Sequence, residues 1–112
     1  MTINTWRSVC ATDAIAEGCS RGFELDDTAL LIVRRAGQWF VFRNQCPHLG
    51  IRLEWVPDQF LDIDGHFIQC STHGALFQVE DGRCIAGPCS GQYLTDVAST
   101  IRDGQLLVQL DG

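Results

Sequence analysis

Lysine is absent from this 112-residue chain: all eight basic residues are arginines, against fourteen acidic residues. The formal net charge of −6 argues against a nucleic-acid partner, because phosphate binding needs a basic surface. No apolar run approaches the roughly 18 residues of a transmembrane helix, and the longest, residues 29–33, has the length of a strand. Residues 1–4 show no signal-peptide pattern. We therefore expect a cytoplasmic protein with no membrane partner.

Long helical periodicity and internal repeats are also lacking. Short strand-like stretches alternate with turn pairs, among them Ala36-Gly37, Asp64-Gly65 and Asp103-Gly104. The predicted strands are residues 6–9, 22–25, 29–34, 39–43, 60–63, 66–69, 76–80, 83–85, 93–98 and 105–110. One helical turn is expected over residues 13–17, capped by Thr12 or Asp13. This pattern predicts an all-β sandwich or barrel, with residues 1–112 as a single domain.

Two short segments carry the chemistry: C-P-H at residues 46–48 and C-S-T-H at residues 70–73. The candidate metal ligands are Cys46, His48, Cys70 and His73. Two thiolates and two imidazoles suit either a tetrahedral zinc ion or a [2Fe–2S] cluster in which two histidines bind one iron. Structural zinc usually takes its first pair from C-x₂₋₄-C, whereas each segment here contributes one sulfur and one nitrogen. The spacing therefore favours the two-iron cluster.

The segments C-P-H-L-G at 46–50 and C-S-T-H-G at 70–74 resemble the two cluster-binding loops of Rieske proteins, and Gly87-Pro88 resembles the proline loop that covers the cluster in that family. The resemblance implies a Rieske-like antiparallel β-sandwich or barrel with a small cluster-binding subdomain over approximately residues 44–91. It implies one [2Fe–2S] cluster per chain, with both thiolates on one iron and both imidazoles on the other.

The resemblance to Rieske ferredoxins implies an electron carrier, not an enzyme, between a flavin-type reductase and a terminal oxygenase or other oxidoreductase. Such a carrier needs no small-molecule substrate. A Rieske oxygenase would need a further His/His/carboxylate set for a mononuclear iron, and the sequence has none to spare. The alternative left open is a small subunit of a larger oxidoreductase, similar to the small subunit of nitrite reductase. The oligomeric state stays open.

The chain departs from high-potential Rieske proteins at four positions. Ile51 and Thr72 stand where those proteins carry a loop disulfide, and Ala75 and Phe77 stand where they carry a serine and a tyrosine that donate hydrogen bonds to sulfur. Because lost donors destabilise the reduced cluster, we expect a potential near the bottom of the Rieske range, about −150 mV.

The sequence leaves two features open. Cys10, Cys19, Cys84 and Cys89 lie outside the motif, and free thiols are the default, although Cys84 and Cys89 could pair. The segment 51–66 is longer than in compact Rieske ferredoxins. Its acidic residues form either a solvated loop or a docking surface, and its aromatic residues either pack under the loops or dock a partner. His66 is expected to face solvent.

Overall fold

Strand follows strand through the chain, interrupted by one short 3₁₀ helix (η1, Thr12–Ala14), in a computed structural model that describes residues 6–25, 27–45, 60–61, 65–70, 74–87 and 90–109. In chain order the strands are β1 (Trp6–Ala11), β2 (Ser20–Leu25), β3 (Thr28–Arg35), β4 (Gln38–Arg43), β5 (Phe67–Gln69), β6 (Leu76–Gln78), β7 (Cys84–Ala86), β8 (Ala98–Arg102) and β9 (Gln105–Gln109). They form three antiparallel sheets: a terminal sheet in the order β1-β9-β8, a central sheet β2-β3-β4 and a small sheet β5-β6-β7. The predicted antiparallel all-β fold is confirmed.

Strand β3 is buried on both faces, which explains its uninterrupted apolar run. Leu31 and Val33 face one side, and Leu30 and Ile32 face the other. The first side belongs to the site-side core, which comprises Leu31, Val33, Phe42, Phe60, Ile68, Cys70, Ala75, Phe77, Val79, Cys84 and Leu94. The second side belongs to the terminal-sheet core, which comprises Ile15, Leu30, Ile32, Val41, Val97, Leu106 and Val108. One strand therefore joins two separate cores.

Two hairpins form at turns that the sequence predicts. Ala36 and Gly37 have φ values of 52° and 72°, and Asp103 and Gly104 have φ values of 54° and 74°. Positive φ at both central residues is the requirement of a type I′ turn, whose twist matches that of the paired strands. The hairpins β3–β4 and β8–β9 follow from these turns.

The predicted helical turn over residues 13–17 is wrong. Helical residues end at Ala14, Ala11 is the N-cap, and neither Thr12 nor Asp13 caps the helix with its side chain. Ile15 is extended (φ −122°, ψ 120°) and is almost fully buried in the terminal-sheet core. Burial of Ile15 therefore overrides the local preference for a longer helix.

The predicted strand over residues 93–98 is wrong in its bounds, since β8 covers Ala98–Arg102. Residues 93–97 form a connection between two sheets instead. Tyr93 bridges to Arg83 in the small-sheet region, whereas the Val97 N–H donates to the carbonyl of Val41 in the central sheet (3.0 Å). This segment contributes Leu94 to the site-side core and Val97 to the terminal-sheet core, so it is fixed by tertiary contacts on both sides.

Strand β6 ends at Gln78, two residues before the predicted end at Glu80. The Gly82 N–H donates to the carbonyl of Gln78 (2.8 Å), which closes a five-residue α-turn there. Val79 is fully buried within that turn, in the site-side core. Its apolar character therefore reflects a buried turn residue and not an extension of the strand.

Candidate metal centre

The second motif begins where β5 ends, and its two flanks are tied together by the backbone. The Cys70 N–H donates to the carbonyl of Ala75 (2.8 Å), and the Gly74 N–H donates to the carbonyl of Cys70 (2.8 Å). Gly74 has φ +66°, a left-handed conformation that glycine adopts without the cost of a Cβ. These contacts close the β5–β6 connection at its base, so that Cys70 and the start of β6 are held in one geometry.

The residues at the base of this loop are fully buried. Cys70, Ala75 and Phe77 are each 0 % exposed and belong to the site-side core. A thiolate at such a position is costly without a partner, because burial in apolar surroundings disfavours charge. Coordination to iron would supply that partner. The environment of Cys70 therefore fits a cluster ligand that is held in place by the packing of the site-side core.

A second segment lies directly against this loop. A Cβ placed on Gly87 would come within 2.8 Å of the Ala75 Cα and 3.0 Å of the Ala75 Cβ, closer than packed atoms tolerate. Gly87 also has φ +105°. Glycine is required here by both space and backbone conformation, and its approach to Ala75 is the geometry that a covering loop needs.

Ser90 fixes the segment that contains Gly87. Its N–H and its Oγ both donate to the Gly87 carbonyl, at 3.2 and 3.1 Å. The base of the segment is closed by Cys84, whose N–H donates to the Gln92 carbonyl (2.7 Å). Ser90 is not among the residues that the two sequence motifs indicate. The sequence does carry a signal for this role: Ser90 stands three residues after Gly87, and a Gly-Pro pair often begins a β-turn in which the fourth residue donates a hydrogen bond to the first.

The first motif leaves from the end of β4 in the central sheet. Asn44 is buried, and its N–H donates to the Ala29 carbonyl (2.8 Å). The Gln45 N–H donates to the carbonyl of Arg43 (2.9 Å), which turns the chain at the entry to Cys46. The two motifs thus start from different sheets, and the site-side core is the structure that these sheets share.

Of the four candidate ligands, the structure describes Cys70. Cys46, His48 and His73 lie outside the described residues, as do Pro88, Cys89, Ile51, Thr72 and most of the segment 51–66. The ligand set and the proposed alternatives for Cys89 and for that segment therefore stay predictions.

His66 is exposed, as expected. The Cys84 Sγ is buried and donates to the Ala86 carbonyl (3.2 Å).

Two pKa shifts lie away from this site. Burial raises the pKa of the Cys10 thiol, and the nearby Arg21 guanidinium opposes that effect. The pKa of Glu17 is lowered, chiefly because its carboxylate accepts a hydrogen bond from the Gly37 N–H (2.8 Å); the Ala36 N–H donates to it as well (2.7 Å). Glu17 therefore caps the β3–β4 turn, a role that the sequence analysis did not identify.

Within the described part of the chain, the structure has no helix that is both long and apolar enough to span a lipid bilayer.

Comparison with known proteins agrees with this geometry. The sequence model of the Rieske [2Fe-2S] domain matches residues 5–102. The chain is 30% identical over 103 residues to the ferredoxin component of the p-cumate 2,3-dioxygenase system of Pseudomonas putida, covering 91% of this chain and 83% of that protein. It is 31% identical over 77 residues to the ferredoxin component of the alkene monooxygenase system of Xanthobacter autotrophicus, covering 69% and 60%.

A solved structure shows the same fold. The ferredoxin of carbazole 1,9a-dioxygenase from Nocardioides aromaticivorans superposes with a TM-score of 0.76 at 22% identity, covering 93% of this chain and 96% of that one. Together with the domain match, these findings confirm the resemblance drawn from the two motifs. The chain belongs to the Rieske [2Fe-2S] domain family, and its cofactor is a [2Fe–2S] cluster.

Proposed function

We propose that this chain is a one-electron carrier that accepts an electron from a flavin-type reductase and delivers it to a terminal oxygenase or another oxidoreductase. Its cluster is held by Cys46, His48, Cys70 and His73. The observation that carries the proposal is the fully buried Cys70 at a loop whose flanks are hydrogen-bonded and against which Gly87 packs. The two relatives described above are ferredoxin components of oxygenase systems, which supports a carrier and not a catalytic subunit.

When bound, a [2Fe–2S] cluster supplies a site that gains and loses one electron without breaking a covalent bond. The protein's contribution is to hold this site still and to limit its contact with water. The hydrogen bonds between Cys70, Gly74 and Ala75 fix one ligand loop. The buried Ala75 and Phe77 place no hydroxyl beside it, which supports the predicted potential of about −150 mV.

Two further inferences complete the proposal. We infer that residues 1–112 form one domain, with the cluster-binding subdomain over approximately residues 44–91. The small sheet and the segment around Gly87 support this boundary, since both pack around the base of the Cys70 loop. We also infer a cytoplasmic protein. Cys10 and Cys19 are free thiols, and the reducing conditions of the cytosol keep thiols in that state.

The decisive experiment is electron paramagnetic resonance of the protein reconstituted with iron and sulfide and then reduced with dithionite. We expect a signal whose average g lies below that of all-cysteine clusters, and a brown protein with two irons per chain. A colourless protein with one zinc per chain would overturn the proposal.

Ligand variants sharpen this test. Cys46→Ser, His48→Ala, Cys70→Ser and His73→Ala should each lose the characteristic signal. Cys19→Ser is the matched control, because Cys19 is an exposed cysteine directly before β2 and is not a proposed ligand. Loss of the signal in the control as well would show that the effect is not specific to ligation.

A further inference from the structure

The solvent-facing side of the small sheet is unusually apolar. Residues that face one another across antiparallel strands share a face, and Ile68 pairs with Phe77 on the buried side. The opposite side, called here the outer face, consists of Phe67, Gln69, Leu76, Gln78, Arg83, Ile85, Ala86 and Tyr93, of which Arg83, Ile85 and Tyr93 are exposed and the others half-buried. An antiparallel sheet with one solvated face normally presents polar residues there, whereas five of these eight are apolar or aromatic.

A β-bulge in β7 adds one apolar residue to this face. Leu76 pairs with Ala86 and Phe77 pairs with Cys84, so Ile85 is an extra residue in β7. Its side chain is 41% exposed. Strict alternation from the buried Cys84 would point Ile85 outward and Ala86 inward, whereas the bulge places Ala86 opposite the outward-facing Leu76, so that both residues lie on the outer face. Bulges of this kind commonly re-aim a side chain next to a functional site.

Tyr93 extends the outer face beyond β7 and is 55% exposed. It pairs with Arg83, and the chain on either side of it is hydrogen-bonded to the small-sheet region through the Cys84 N–H to Gln92 (2.7 Å) and the Leu94 N–H to Gly82 (2.8 Å). The position is therefore rigid. Tyrosine and arginine are also the residue types enriched at the energetic centres of protein interfaces.

The outer face adjoins the proposed cluster site. Leu76 directly follows Ala75, whose carbonyl closes the second ligand loop by accepting a hydrogen bond from the Cys70 N–H. Ile85 lies two residues before Gly87, which packs against Ala75. At about 3.3 Å per residue, two extended residues span roughly 7 Å. A protein seated on this face would therefore lie beside the loop that carries two of the proposed cluster ligands, Cys70 and His73.

The charges favour a partner of positive potential. Among the described residues at and around the face, the two exposed carboxylates of Glu80 and Asp81 are matched by the guanidiniums of Arg35 and Arg83, and Arg35 pairs with Glu80 at 3.5 Å. Close contact is thus dominated by apolar area. At longer range the net charge of −6 attracts a basic partner and speeds encounter.

We propose that the outer face of the small sheet is the docking surface for a redox-partner protein that has an apolar contact centre and an overall positive potential. The proposal rests on the carrier function proposed above. A small, neutral and apolar contact suits the weak, transient complexes of electron-transfer proteins. In each encounter one electron leaves the reduced protein and reduces one acceptor centre, and no proton or bond is exchanged.

The test uses the cluster-loaded protein, reduced and mixed in a stopped-flow instrument with oxidised cytochrome c, a basic protein that accepts one electron at ferric haem. The variants are Ile85→Ser, Tyr93→Ser and the double variant. Ile101→Ser is the matched control, because Ile101 is 45% exposed but lies on β8 of the terminal sheet. Serine changes no charge, so steering of encounter is preserved.

We expect the second-order rate constant to fall roughly tenfold in the double variant, the size of effect that loss of an interface centre produces, and less than twofold in Ile101→Ser. The dependence of the rate on salt should be the same in all four variants and in the wild type. The midpoint potential, the paramagnetic signal and the melting temperature should also be unchanged, which separates docking from damage to the site.

Each other outcome decides against the docking surface. Equal rates in the double variant and the wild type overturn it, as does an equal fall in Ile101→Ser. A wild-type dimer that the double variant dissociates, measured by sedimentation, would assign the face to self-association instead. A wild type that holds the cluster but passes no electron to cytochrome c overturns the carrier function and the docking surface together, whereas equal rates overturn the docking surface alone.

Discussion

The two cores on either side of the central sheet differ in composition and in what they support. The terminal-sheet core packs aliphatic side chains such as Leu30 and Leu106 between two sheets. The site-side core also holds Phe77, Cys70, which begins the second motif, and Ala75, which follows it. A change in one core should therefore affect folding alone, and a change in the other should affect folding and the metal site. Since β3 supplies both, this difference can be tested with neighbouring residues.

The largest expected effect comes from truncation within β3. Leu31→Ala and Leu30→Ala both remove a fully buried side chain, so each should lower the free energy of unfolding by about 2–5 kcal/mol. Urea unfolding of the apoprotein measures this loss. In the loaded protein, Leu31→Ala should also speed release of iron to a chelator, because Leu31 packs in the same core as Cys70. Equal release rates in the two variants would mean that the cores are not functionally distinct.

A smaller effect is expected where the covering segment meets the ligand loop. Gly87→Ala forces a Cβ against Ala75 in addition to its positive φ, and should cost about 2 kcal/mol and accelerate iron release. Gly91→Ala is the matched control, since its φ is +89° but an added Cβ meets nothing within 4 Å. It should cost about 1 kcal/mol, from backbone strain alone, and leave iron release unchanged. Similar release rates would show that the Gly87–Ala75 contact does not hold the loop.

A change of potential without a change of fold is expected from Ala75→Ser. The added hydroxyl can donate to a cluster sulfur, which stabilises the reduced state and raises the midpoint potential, on the order of 50 mV for a bond of about 1 kcal/mol. Because Gly87 occupies one side of Ala75, the hydroxyl has to point away from it. Ala86→Ser, in β7, controls for added polarity. Redox titration measures both, and an unchanged midpoint in Ala75→Ser would contradict the hydrogen-bond explanation.

The smallest effect is expected at the β3–β4 turn, away from the site. The pKa of Glu17 is lowered in the folded protein by the N–H groups of Gly37 and Ala36. Its contribution to stability is therefore present above the ordinary glutamate pKa of about 4.3 and is lost as the pH falls through the lower folded-state value. Glu17→Gln should be slightly less stable than the wild type at pH 7, and the difference should shrink as the apoprotein is unfolded at decreasing pH. A difference that grows on acidification would contradict this assignment. The potential should not change.

Local signals predicted those elements that local physics controls. The turns at Ala36-Gly37 and Asp103-Gly104 need positive φ at two residues, a requirement that a dipeptide reveals. The segment 93–98 was misplaced because its apolar residues enter two different cores, a division that alternation along the chain does not encode. The helical turn failed for a related reason: burial of Ile15 required an extended backbone.

The sequence alone determined the family and the chemistry of this protein, because ligand type and spacing in two short motifs depend on iron coordination and not on the surrounding fold. Tertiary structure decided what surrounds the site. The approach of Gly87 to Ala75, the closure of the Gly87 segment by Ser90 and the bulge that places Ala86 opposite Leu76 all depend on strand pairing and close packing. Such contacts depend on register and volume in three dimensions, which no local pattern specifies.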